Sequence, residues 1–138
     1  MSTNTDFRTC PTTGLKVDLA AEKLIKVNAV AAVVFLAIGG LFGLLVALTR
    51  WPEVHLLPAD WFYLALTAHG LDVLLVWIIF FEMAVLYFAS AVLLGSRLDA
   101  PIWAWTGFGL MLVGAIITNI VVLQGGSSVI FTSYVPLM

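Results

Sequence analysis

The chain is 138 residues long, 62% hydrophobic and 10% charged, with a formal net charge of −2, and its mean hydropathy of +1.11 excludes a water-soluble domain, where roughly 45–50% apolar is usual. Its 6 basic residues neither cluster nor alternate with aromatics, so nucleic acid is excluded as a partner. A single cysteine, Cys10, excludes an intramolecular disulfide and a cysteine-built metal cluster.

From Met1 to about Glu22 the sequence is polar and Thr-rich, and Pro11 and Gly14 interrupt any period, so an irregular tail with an inert Cys10 thiol is expected. Val17 to Lys26 reads as a short amphipathic lead-in at the membrane surface, which makes 1–26 a tail plus lead-in. No secretory signal is expected, because the first apolar run begins only after Lys26 and is of full spanning length. Three runs, 27–49, 61–94 and 102–123, approach or exceed the ~20 apolar residues that cross a bilayer. Backbone groups in lipid must be satisfied within a segment, so each run is a predicted helix. The fold class is therefore an all-α membrane protein with three transmembrane helices within 27–124.

Along the first helix, Gly39, Gly40 and Gly43 form a small-residue face for close helix approach. The loop from Arg50 to Asp60 holds Trp51, Pro52, Pro58 and Trp61, aromatics suited to the headgroup region and prolines that stop a helix. His55 in this loop reads as solvated. The second run is long for one crossing, reaching about 50 Å at 1.5 Å per residue, and Gly95, Ser96 and Arg97 end it. Trp103 and Trp105 mark an interface on the third helix, and Asn119 is expected to donate to a neighbouring helix. Arg8, Lys16, Lys23, Lys26 and Arg97 fall on one side against Arg50 on the other, which predicts a cytoplasmic N-terminus. Residues 125–138 read as an outer segment leading to a further hydrophobic element that this sequence does not contain.

Three ionisable groups interrupt the second run: His69, Asp72 and Glu82. A charged side chain at membrane depth is costly, and so marks a functional site by default. His69 lies roughly 12 Å inside its helix end, with Gly70 removing a side chain beside the imidazole. On a 3.6-residue period its stripe continues through Ala65, Asp72, Val73, Val76, Phe80, Met83 and Tyr87, a surface suited to the edge of a large flat ligand. An imidazole here can ligate haem iron, ligate copper, shuttle protons or hydrogen-bond to another helix, and periodicity does not choose among these. A metal-bound imidazole needs an acceptor for its other ring nitrogen, for which Asp72, one turn on, is a candidate. Glu82 lies about 20 Å deeper on another face, either solvated at the cytoplasmic interface or at a point of proton entry.

The helix TAHGLDVLLVWIIFFEMAVLYF, Thr67 to Phe88, resembles the second transmembrane helix of subunit I of the haem-copper oxygen reductases, and VIFTSYVPL, Val129 to Leu137, looks like the segment after the third helix in that family. The likeness runs from Ala21 onward. It implies that the chain is the N-terminal part of a larger subunit I helical bundle, truncated or split, in a bacterial or archaeal cell membrane. It further implies that His69, followed by Gly70, is an axial ligand of the low-spin haem. In the family electrons arrive from cytochrome c, a copper centre or quinol, and pass to a second haem and a copper where oxygen is reduced to water with proton pumping. The family takes its remaining ligands from later helices, whereas this sequence has only His55 and His69, so the remainder of subunit I and other subunits are implied partners. Nitric oxide reductases of the superfamily share the histidine-bearing helix and remain an alternative. So does a cofactor-free accessory membrane protein in which His69, Asp72 and Asn119 make interhelical hydrogen bonds.

Overall fold

The computed structural model describes residues 7–125; the expected outer segment, including Val129 to Leu137, lies outside the described residues apart from Gly125. The polar tail is not irregular. Phe7–Thr9 pairs antiparallel with Lys16–Asp18, placing Phe7 opposite Asp18 and Thr9 opposite Lys16. Pro11 and Gly14, which break helical periodicity, lie in the connecting turn. Gly14 takes a φ of 69°, open to glycine at little cost, and its N–H donates to the Cys10 carbonyl at 2.9 Å. Breaker residues mark a turn without saying what flanks it, and two three-residue strands carry too little pattern to be read.

The first helix, Leu19–Arg50, begins well before the apolar run. Asp18 caps it, Oδ2 accepting the Ala21 N–H at 3.1 Å, and Glu22 adds negative charge to the first turn. Glu22 then gathers two cations: Arg8 of the hairpin donates through Nε at 3.1 Å and Nη2 at 2.9 Å, and Lys26 Nζ lies 2.7 Å from Oε1. The expected surface lead-in is thus part of the spanning helix, because apolar content marks where lipid begins and not where helical hydrogen bonding begins. Beyond Arg50 the loop exposes His55 in the left-handed region at φ 42°.

The second helix runs over Ala59–Leu93, with π-helical turns at Asp72–Val76 and Ala89–Leu93. A π turn closes on residue i+5 and shifts the side chains beyond it relative to a regular helix. Asp72, Val76 and Phe80 are buried against the neighbouring helices and do not offer the open ligand edge that a 3.6 period suggested. Val76 and Phe80 pack with Ala31, Ala32 and Phe35 of the first helix and Ala115 of the third, Pro101–Leu123. Phe35 stacks on Phe80 with centroids 5.7 Å apart, and Phe108 meets Phe80 edge-on at 5.8 Å.

The third helix starts on Pro101, a residue favoured there because its missing N–H would find no helical partner anyway. It packs against the first helix and the early part of the second, and its Phe108 and Ala115 meet the cluster around Phe80. All three helices are long and apolar enough to cross a membrane, yet only 22%, 17% and 11% of their most apolar stretches are buried. The remaining apolar surface suits lipid or further polypeptide and would be untenable in water.

Candidate functional site

His69 meets the glycine face of the first helix. Its Nδ1 lies 2.8 Å from the Gly39 carbonyl oxygen, and a carbonyl can only accept, so Nδ1 carries the proton and donates. In the neutral ring, Nε2 then keeps the lone pair. No described residue hydrogen-bonds Nε2. Gly43, one turn along the first helix, is the seat of the ring: a Cβ built there would stand 2.7 Å from Cε1 and 2.8 Å from Nδ1. Gly39 is as tightly used, since a Cβ there would meet Asp72 Cβ at 2.9 Å and Val73 Cγ2 at 2.7 Å. The G-x-x-x-G spacing of Gly39 and Gly43 is the signal of close approach. What it does not reveal is that one glycine supplies the acceptor and the other the space for an imidazole.

Asp72 therefore does not orient His69. It is fully buried, and its Oδ1 accepts from Asn119 Nδ2 of the third helix at 2.8 Å. Asn119 makes the interhelical contact expected of it, and the same Nδ2 lies 3.2 Å from the Ala115 carbonyl. Asp72 Oδ2 and Asn119 Oδ1 are buried with no partner among the described residues. Just beyond, the Trp77 indole N–H donates to the Val73 carbonyl within the π turn. The site thus joins three helices through one imidazole, one carboxyl and one amide.

The other singled-out groups lie apart. Gly70 is buried in its helix. Glu82 is exposed on the second helix, and no described residue pairs with it. At the loop end of the first helix, the Arg50 guanidinium stands 5.9 Å from the Phe62 ring centroid. No group of three or more His, Cys, Asp or Glu that could hold a metal ion occurs among the described residues, so any metal held here takes its other ligands from elsewhere. A haem iron fits that donor set, since it needs from this chain one imidazole nitrogen with the other held by an acceptor. Far from this site, hydrogen bonds from the Thr13 side chain, and from the Thr13 and Thr12 backbone, draw the Cys10 thiol down to about 7. The hairpin supplies these donors, which an irregular tail would not.

Compared with known families, residues 23–138 match the one described as cytochrome c and quinol oxidase polypeptide I. No curated protein and no solved structure matches the chain.

Proposed function

The chain belongs to the cytochrome c and quinol oxidase polypeptide I family, and on that premise we propose that it provides the first three helices of the redox subunit of a respiratory terminal oxidase, with His69 as an axial ligand of a low-spin haem. One observation carries the reading: the Gly39 carbonyl holds Nδ1–H at 2.8 Å, leaving Nε2 as the ligating nitrogen. Such an acceptor fixes tautomer and ring orientation and raises the basicity of the ligand. Gly43 gives the ring its place, Gly70 keeps its neighbourhood free of a side chain, and the Asn119 to Asp72 bond fixes the third helix against the turn after His69. Bound haem would pass single electrons from a donor such as cytochrome c, a copper centre or quinol towards an oxygen-reducing haem-copper centre.

That second haem and its copper belong to further polypeptide, since the only other histidine here, His55, is exposed in a loop. The same applies to the choice of oxygen or nitric oxide as acceptor. The excess of basic residues on the side of Arg8, Lys16, Lys23 and Lys26 supports a cytoplasmic N-terminus in a bacterial or archaeal cell membrane.

A second reading has its own support, because the bond from His69 to Gly39 also ties two helices together in a cofactor-free accessory subunit. Reduced-minus-oxidised visible spectra of the detergent-extracted complex, native against His69→Ala and His69→Gln, separate the two. Loss of a low-spin haem band in both variants is the expected result. A band that is absent from the native complex, or unchanged in the variants, removes the ligand assignment and favours the accessory reading.

A further inference from the structure

We propose that the groove between the first and third helices binds one acyl chain of an anionic phospholipid, whose phosphate sits against Lys23 and Lys26. The groove has a volume of about 560 Å³ and runs from Lys26 through Val34 to Ile38 on one side, with Phe108, Leu112 and Ile116 on the other. Every residue lining it beyond Lys26 is apolar. The three residues of the third helix lie four apart and so form one face. Lys26 to Ile38 covers about 18 Å at 1.5 Å per residue, close to half of the ~30 Å hydrocarbon core. The groove is therefore about one leaflet deep. A further transmembrane helix needs a seat across both leaflets, whereas an acyl chain needs only one.

The mouth of the groove supplies the charge. Over residues 7–31 four cations, Arg8, Lys16, Lys23 and Lys26, meet only two carboxylates, Asp18 and Glu22. Arg8 and Lys26 share Glu22. Lys23, one turn before Lys26, is exposed and makes no ion pair among the described residues. A lysine beside apolar surface lays its stem along that surface and keeps its ammonium in the polar layer, where basic side chains attract anionic lipid. Across the mouth, Trp105 extends the face of the third helix one turn before Phe108, which it meets edge-on with ring centroids 5.9 Å apart. Tryptophan favours the headgroup level. Apolar wall and polar rim thus follow each other in the order in which a phospholipid presents its tail and its phosphate.

Photolabelling of the complex in phosphatidylcholine vesicles tests this. The probe is a trace of phosphatidylglycerol with a diazirine in its acyl chain, compared with phosphatidylcholine labelled in the same way, and adducts are assigned to residues by peptide mass spectrometry. Phe108, Leu112 and Ile116 report on the groove, whereas Leu110 and Val113, exposed on the same helix outside it, report on ordinary surrounding lipid. The groove residues are expected to take more phosphatidylglycerol than phosphatidylcholine, and the outside pair equal amounts of both. Lys23→Gln should lower the phosphatidylglycerol yield in the groove about fivefold, and adding Lys26→Gln should bring it to the phosphatidylcholine level. Lys23→Gln alone leaves both ion pairs of Glu22 in place, so it decides the matter even where the double variant does not assemble. Absence of adducts in the groove overturns the proposal and shows the groove covered by another helix. Equal yields from the two probes, or a yield unmoved by Lys23→Gln, overturn the anionic headgroup.

Discussion

The two ends of the bundle are held together by opposite means. Beside His69 the first helix offers bare backbone: Gly39 and Gly43 admit Asp72, Val73 and the imidazole at distances where any Cβ would collide, and Asn119 bonds across from the third helix. Toward the hairpin a cavity lies between the helices, and the outermost ties are the ion pairs of Glu22 with Arg8 and Lys26. Close glycine packing leaves no slack, so a change of one methyl group is felt by the His69 ring. Ion pairs at a surface tolerate rearrangement and contribute about 0–1 kcal/mol each.

The largest effect is therefore expected from Gly43→Ala. Its methyl would lie 2.7 Å from His69 Cε1, so the ring must turn or the helices must separate. Either movement strains the bond to Gly39, and loss of such an orienting partner lowers metal affinity about 10–100-fold. Haem retention through detergent washing, followed by the low-spin band, should fall accordingly. Gly40→Ala is the matched control: its Cβ meets nothing within 4 Å, and the band should be unchanged. Equal spectra for the two variants would overturn the proposed link between the glycine seat and haem ligation by His69.

Asn119→Leu comes next. It removes the donor to Asp72 Oδ1, and Oδ2 already lacks one, so a fully buried carboxyl would be left without any partner among the described residues. The expected loss is about 1–3 kcal/mol, above the ~0.6 kcal/mol typical of an interhelical hydrogen bond in membranes. A lowered midpoint in thermal unfolding of the complex would reveal it. The double variant Asp72→Leu with Asn119→Leu should recover part of the loss, because neither polar group is then stranded.

Asp18→Ala acts at the other end and more weakly. It deletes the side-chain acceptor for the Ala21 N–H, a change worth about 1 kcal/mol. The consequence is local: faster amide exchange over the first turn from Leu19, with the haem band expected on the proposed reading untouched. An altered haem band would show that the two ends are coupled.

Which features could be read from sequence follows the same division. The three spans were legible because lipid imposes a length and an apolar content on each segment, and His69 stood out because an ionisable group inside such a segment is rare. Asn119 was legible as an interhelical donor for the same reason. The acceptor for His69 was not, since it is the backbone carbonyl of Gly39, and a carbonyl has no residue type. Asp72 was the natural candidate by spacing, but the π turn beginning there accompanies its bond to Asn119, and nothing in DVLLV distinguishes π from α. The start of the first helix was missed because Asp18 and Glu22 signal a helix end only to a reader looking outside the apolar run.

The smallest expected effect concerns Cys10 and depends on the hairpin being folded. Donors from Thr13 and Thr12 favour the thiolate and hold the thiol at about 7, below the ~8.5 of a free cysteine. A group whose value is lowered by folding adds stability above its unfolded value, and that contribution fades as pH falls through about 7. Alkylation of the native complex by iodoacetamide should accordingly rise with pH with a half-point near 7, since the thiolate is the nucleophile. Thr13→Val removes the largest contributor, the side-chain hydrogen bond, and should move the half-point upward toward the free value. Arg8→Gln contributes only the weakest of the lowering influences and should barely move it, although it breaks the ion pair to Glu22. If Arg8→Gln shifts the half-point as far as Thr13→Val, then the hairpin depends on its ion pair to stay folded, and the hairpin end is less tolerant of change than its surface contacts suggest.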